Sequence, residues 1–409
     1  MINRSATATL KQLATWYPAV ALTGPRQAGK TTLAQAVFPD KPYCSLEDPD
    51  QREFALSDPR GFLARFPDGA ILDEVQRAPE LFSYLQTRLD ADHRMGLFIL
   101  TGSQQFSLNQ SISQSLAGRV GYLHLLPFTH GELLAGFAPK NLEAMLLQGF
   151  YPPMFDRGIP PHVWYADYVA TYIERDLRQL INVRDLAAFQ RFLRMCAART
   201  GQMLNLSALA ADCGITHNTA KSWISILEAS YLVVLLPPWH RNLGKRLVKT
   251  PKLYFLDTGL AAWLAGVRRA DDLELGSLRG ALFETWVVSE LTKHLCNHAL
   301  PNRLYFWRDS TGNEIDLLVE HGPETVFSIE CKAGRTVAAD WFKPMQDFCK
   351  AAGASGSALI YGGQENQSRS QTPVFGWRSM RELIELAFRN ESGAKERTLN
   401  DKPAGALAK

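Results

Sequence analysis

The residues Gly24-Pro25-Arg26-Gln27-Ala28-Gly29-Lys30-Thr31 are suited to wrapping a phosphate chain. They satisfy G-x-x-x-x-G-K-[ST] at every fixed position, after an apolar run at 19–22 and before a helical pattern at 32–37. That context predicts a buried strand, a glycine-bounded loop and a helix. In such a loop the backbone N–H groups turn inward at a helix N-terminus and form an anion nest. Lys30 is then expected to reach the β- and γ-phosphates and Thr31 to hold Mg2+, with Thr32 following in the same turn. A second apolar run, 69–72, ends in Asp73-Glu74. Buried parallel strands end in adjacent acids where those acids meet a ligand at the carboxyl edge. Asp73 is expected to bind Mg2+ through water and Glu74 to orient an attacking water, the Walker B arrangement. Arg119, in Leu116-Ala117-Gly118-Arg119-Val120, is a candidate arginine finger acting in cis or across a subunit interface; a surface salt bridge is the alternative. Glu47 and Asp48 either face the metal or form a solvated strand end.

These side chains need a sheet behind them. Apolar runs at 19–22, 43–46, 69–72, 97–100 and 122–126 supply five strands, and Leu10, Leu13 and Trp16 at helical spacing place a lead-in helix over 4–17. At 409 residues the chain exceeds one ordinary core. Its 46% hydrophobic and 21% charged residues are those of a globular protein. The net charge of +3 is too small to argue for nucleic acid unless the basic surface is local. Six cysteines without C-x-x-C spacing disfavour a zinc site or a disulfide framework and fit a reducing cytoplasm. No stretch of about 18 apolar residues suggests a membrane span, and no signal peptide is expected.

The blocks GPRQAGKTTL, YCSLEDPDQR, AILDEVQRAPELFSYLQ, FILTGSQQFSL and LAGRVGYLHLLPFTHGEL occur in this order. In that order the chain resembles the prokaryotic ATP-binding proteins of the AAA superfamily, which pair an ATPase core with an uncharacterised C-terminal domain. The resemblance runs through roughly the first 140 residues and continues to about residue 335. It implies ATP as ligand and substrate with Mg2+, and a polar sensor near the γ-phosphate, for which Thr101, Ser103 and Gln104 are the candidates. An ordinary capped turn is the alternative for those three.

Residues 141–200 read as helical, with Tyr165, Tyr168 and Tyr172 as core and Glu174-Arg175-Asp176 as a solvated face; contact of these basic and aromatic residues with nucleic acid is the alternative. Residues 206–210 and 218–227 read as two helices joined by a turn at Gly214, with Thr216 as a cap and Ala220, Trp223, Ile224 and Leu227 as the buried face. Strands at 231–236 and 252–256 would complete a winged helix. His217, Asn218, Lys221 and Ser222 then point outward, and His240, Arg241, Lys245, Arg246 and Lys249 form a basic loop able to grip DNA phosphates.

Further on, a helix carrying Glu284 precedes strands at 304–307, 315–319 and 326–332. Asp316, Glu330 and Lys332 form D-x13-E-x-K, and alternation puts Glu330 and Lys332 on one face. This is similar to the PD-(D/E)xK nuclease core, without its leading proline. The resemblance implies that Asp316 and Glu330 hold a second Mg2+, that Glu284 completes the site and that Lys332 activates water. A fold that has lost cleavage is the alternative.

The expected fold class is α/β: a P-loop AAA-type parallel sheet over 1–140, a helical and winged-helix middle over 141–270, a small nuclease-like α/β domain over 271–389, and a disordered tail over 390–409. The leading expectation is an ATP-driven switch or motor on DNA. The alternative is a nucleotide-gated module that binds a protein partner, or itself, and cuts nothing.

Overall fold

The computed structural model describes residues 2–103, 116–137, 139–177, 185–240, 250–309, 311–322, 325–369 and 371–389, with 174–177 described as backbone alone. Gln104, Arg241, Lys245, Arg246, Lys249, the side chains of Glu174, Arg175 and Asp176, and the tail from Asn390 lie outside the described residues. The chain divides into two compact units, 1–235 with 252–302, and 236–251 with 303–409. The helix Leu278–Asn297, expected with the C-terminal domain, is thus part of the first unit.

The first unit is built on five parallel strands, β1 (Ala19–Thr23), β2 (Tyr43–Ser45), β3 (Ala70–Asp73), β4 (Phe98–Gly102) and β5 (Val120–His124), in the order β2-β3-β4-β1-β5. Both faces of this sheet are covered, which is why its strands read as unbroken apolar runs. Ala19, Ala21, Leu72 and Leu100 pack on one side with Phe62, Phe82 and Leu85. Val20, Leu22, Ile71 and Ile99 pack on the other with helix α1 (Thr7–Trp16) and helix α2 (Lys30–Val37), through Leu10, Leu13 and Leu33. Trp16, expected on the buried face of α1, sits in its last turn and is 60% exposed. Because β4 lies between β1 and β3, its polar end sits between the strand that leads into the phosphate-loop motif and the strand that ends in the acids.

Beyond the sheet, Tyr151, Trp164, Tyr168 and Tyr172 form a buried aromatic column, with successive ring centroids 4.6, 4.7 and 5.2 Å apart. Its last member lies in a π-helical stretch, Val169–Leu177, where a plain α-helix was expected. Helices Leu206–Cys213 and His217–Ala229 meet at Gly214 (φ 68°), and the Thr219 N–H donates to the Thr216 hydroxyl at 3.1 Å. Ala220, Trp223, Ile224 and Leu227 are buried, as the pattern predicts, and Trp223 stands edge-on to Phe189 and Phe192. Three short strands follow the order β6-β8-β7, with β6 at Gln202–Met203, β7 at Val233–Leu236 and β8 at Lys252–Phe255. Of the basic residues expected in the loop joining β7 to β8, only His240 is among the described residues. The first residues of this loop belong to the second unit, where Trp239 is buried and its backbone N–H donates to the Phe306 carbonyl at 2.6 Å.

The second unit has a mixed six-stranded sheet, β13-β14-β12-β11-β10-β9. Strands β9 (Leu304–Arg308), β10 (Glu314–Gly322) and β11 (Thr325–Lys332) are antiparallel. Helix Lys343–Ala352 then carries the chain to β12 (Gly356–Tyr361), parallel to β11. A parallel neighbour needs such a crossover, and the helix covers it with Met345 and Phe348. Strands β13 (Gln367–Arg369) and β14 (Thr372–Gly376) complete the sheet. Among the described residues, no helix is long and apolar enough to cross a membrane.

Candidate functional site

The loop after β1 holds three left-handed residues. At Gly24 (φ 149°) a Cβ would stand 2.0 Å from the Leu125 carbonyl oxygen, so backbone packing permits only glycine. Gln27 (φ 62°) adopts a conformation that costs an L-residue about 1–2 kcal/mol. It is held there by the Trp164 indole N–H, which donates to the Gln27 side-chain oxygen at 3.1 Å. Gly29 (φ 90°) opens α2 with no side-chain cap, leaving the positive end of the helix dipole facing the loop. At the loop's tip the Arg26 guanidinium lies over the Tyr172 ring, 5.5 Å from its centroid. Lys30 is buried and donates to the Gly24 and Pro25 carbonyls at 3.0 and 2.9 Å. Desolvation pulls its ammonium down to about 8, against the opposing pull of Glu74 and Asp73.

The two acids end β3 next to this loop. Asp73 is ringed by hydroxyls: Thr31 donates to Oδ1 at 3.0 Å, Thr101 donates to the same oxygen, and Tyr43 donates to Oδ2 at 2.8 Å. Desolvation and the Asp73 carboxylate push the Tyr43 phenol up to about 12, so it remains a donor. Glu74 follows in a left-handed turn (φ 53°); its N–H donates to the Thr101 hydroxyl at 3.3 Å, and its carboxylate accepts from Ser103 at 2.9 Å and from Gln76. The strand end expected to sense the nucleotide thus positions both acids. A buried carboxylate 3.0 Å from a threonine hydroxyl is a set of hard oxygen donors, which suits Mg2+.

Three other candidates are engaged in contacts of their own. Glu47 pairs with Arg77 at 3.2 Å on the surface, and Asp48 caps the helix Pro49–Ser57, the solvated alternative for both. The arginine finger in cis is overturned by strand polarity. Val120 pairs with Ala19 and His124 with Thr23, so Arg119 lies at the amino edge of the sheet, about 16 Å from the loop at ~3.3 Å per residue. There its guanidinium pairs with Asp90, Nη2 to Oδ2 at 3.0 Å, and with the Ala117 carbonyl.

Sequence reading missed Arg4, Glu132, Tyr43 and Trp164. Arg4 donates to the Ala28 carbonyl at 2.8 Å and the Leu126 carbonyl at 2.6 Å, and pairs with Glu132 at 3.3 Å, which ties the N-terminal segment to the loop. Glu132 had a readable signal, since Thr129-x-x-Glu132 spells a capping box, and the box forms. Arg4, Thr32, Leu33, Ala36 and Phe128 line a cavity of about 200 Å3 beside Gly29.

In the second unit, the β10–β11 register sets Leu317 opposite Ile329, which brings Asp316 and Glu330 side by side across the strands. Asp316 accepts the Cys331 N–H at 2.9 Å, and Lys332 pairs with Glu330 at 2.5 Å. Desolvation works to lower the Lys332 ammonium, but Asp316 and Glu330 together raise it above the ordinary lysine value. Glu284 belongs to the first unit, where it accepts from Lys252 at 2.9 Å and from Tyr254.

The geometry of the first unit agrees with the comparison to known families. Residues 17–134 match an AAA domain. Residues 139–271 and 279–380 match two domains of unknown function, DUF8612 and DUF4143. Over 376 residues the chain is 32% identical to the uncharacterized protein Rv2008c of Mycobacterium tuberculosis, covering 91% of this chain and 82% of the relative. The uncharacterized protein Mb2031c of Mycobacterium bovis matches to the same extent. The chain belongs to their family. The AAA domain over residues 17–134 supports ATP binding by this part of the chain. Among solved structures, the Walker-type ATPase of Pyrococcus abyssi is similar at 17% identity and a TM-score of 0.46, over 64% of this chain and 96% of that one. The RuvB Holliday junction branch migration motor of Thermotoga maritima is similar at 20% identity and a TM-score of 0.29, over 58% and 90%.

Proposed function

We propose that this family member is a Mg2+-dependent ATPase that works as a nucleotide-driven switch or motor on nucleic acid. The observation that carries the hydrolytic reading is the pair of acids at the end of β3. Asp73 is fixed beside Thr31, and Glu74 is held by Ser103 and Gln76 at the same sheet edge. Gly24 to Thr32 receive the phosphates, Lys30 exchanging its loop carbonyls for phosphate oxygens. Thr31 and Asp73 would hold the metal, which would supply charge neutralisation on the phosphates. Glu74 orients the water, and the cavity beside Gly29 accommodates the base.

Nucleic acid as target is supported by the helix pair 206–229, whose second helix presents His217, Asn218, Lys221 and Ser222 to solvent. Steady-state ATP hydrolysis by the full chain, with and without duplex DNA at low salt, tests this reading. Turnover that depends on Mg2+ and rises with DNA is the expected result. Tight ATP binding with negligible turnover, indifferent to DNA, would replace it with the nucleotide-gated module that binds a protein partner.

A second reading concerns the second unit. Asp316, Glu330 and Lys332 share one face of a β-hairpin, and this grouping of two acids and a cation supports a Mg2+-dependent nuclease as a second activity. The expected result is cleavage of plasmid DNA in Mg2+, lost in Lys332→Ala and in EDTA. A wild type that leaves the plasmid intact removes this activity and keeps the ATPase reading.

A further inference from the structure

We propose that Tyr43 is a positioning residue for the nucleotide's metal, acting through Asp73. Strand β2 has only three residues, at the edge of the sheet, and Tyr43 is its first. The side chain is 42% exposed, so core packing does not account for it. Its strand partner is Ile71, whereas Ser45 is the residue level with Asp73. Parallel neighbours at the same level share a face, so Tyr43, Ile71 and Asp73 all point to the α2 side of the sheet. The phenol lies along the strand for one two-residue repeat, ~6.6 Å, and ends with its hydroxyl 2.8 Å from Asp73 Oδ2.

The other carboxylate oxygen is already occupied. Thr31 and Thr101 both donate to Oδ1. Tyr43 therefore fixes the plane of the carboxylate from the side away from Thr31, and withdraws charge from the oxygen that does not face the phosphate loop. Partners of this kind set metal affinity without touching the metal. The phosphates are held by other groups, Lys30 and the loop backbone, so the Tyr43 hydroxyl affects the metal and leaves nucleotide binding without metal unchanged.

This inference rests on the reading that Asp73 serves the nucleotide's Mg2+, and the experiment separates the two. A fluorescent ATP analogue is bound to the full chain in EDTA and then titrated with Mg2+, for wild type, Tyr43→Phe, Asp73→Asn and the double variant. Tyr43→Phe is expected to need about tenfold more Mg2+ for half of the gain in affinity, with EDTA affinity equal to wild type. In the Asp73→Asn background, Tyr43→Phe is expected to change nothing further. A Tyr43→Phe curve that coincides with wild type while Asp73→Asn is displaced overturns the role of Tyr43 and leaves that of Asp73 standing. Weakened binding in EDTA makes Tyr43 merely structural and likewise overturns the proposal. If Asp73→Asn also coincides with wild type, the reading of Asp73 fails and the role of Tyr43 fails with it.

Discussion

Glu74→Gln is expected to lower ATP turnover about 100- to 1000-fold while leaving ATP affinity within a few-fold of wild type. A positioned base contributes roughly 10²–10⁴ to such reactions, and glutamine keeps the shape while losing the charge. The retained amide oxygen still accepts from Ser103, so the left-handed turn at Glu74 has no reason to collapse. Steady-state hydrolysis beside equilibrium binding of a fluorescent ATP analogue measures both quantities. Unchanged turnover would move the base elsewhere, and equal loss of turnover and affinity would mean the substitution disturbs the loop.

Lys293→Met is expected to destabilise the first unit by about 3–5 kcal/mol, the cost of stripping a buried ion pair of one partner. Lys293 and Glu290 are fully buried one turn apart on the helix Leu278–Asn297, 2.9 Å from each other. Lys293 also donates to the Phe128 carbonyl at 2.9 Å and lies over the Phe150 ring, while Glu290 accepts the His130 N–H at 2.9 Å. Desolvation raises the Glu290 carboxyl even with Lys293 present. Without the lysine, that carboxylate keeps the His130 N–H but loses its counter-charge. Glu290→Gln is the milder change, because an amide oxygen still serves His130. Urea unfolding followed by far-ultraviolet dichroism gives both values, and a loss under 1 kcal/mol for Lys293→Met would show that the pair contributes nothing net.

How much of this was legible in the sequence depends on the distance over which each signal acts. The phosphate loop and the acids after β3 are each local, so their residues were named without a structure. The parallel sheet was readable because burial on both faces leaves unbroken apolar runs. Ala220, Trp223, Ile224 and Leu227 followed from a 3.6-residue period. Tyr43 was not legible, because a tyrosine in a short strand reads only as a good strand former. Arg4 and Trp164 act on the loop from 24 and 137 positions away, a spacing that carries no local pattern. A role for Arg119 in cis fails for a reason readable in advance, since a residue preceding a parallel strand lies at the amino edge, opposite the ligand edge; the salt bridge offered as the alternative forms with Asp90. The unit boundary was hidden because Trp239, in a loop read as a basic wing, is a core residue of the second sheet.

The interleaving of the two units has a consequence for synthesis on the ribosome. The first unit is interrupted after residue 235 and resumes at 252, and its helix Leu278–Asn297 follows that resumption. A nascent chain that has already presented the phosphate loop, the acids and the whole parallel sheet still lacks the helix that covers Phe128, His130 and Phe150. At ~5–20 residues per second, the polypeptide between the end of the sheet at His124 and the end of this helix takes roughly 10–35 s to emerge. During that time apolar side chains destined for the helix face water. Folding of the ATP-binding part is thereby delayed until residue 297 has emerged, and a ribosome that stalls before that point releases a product open to chaperones and proteases.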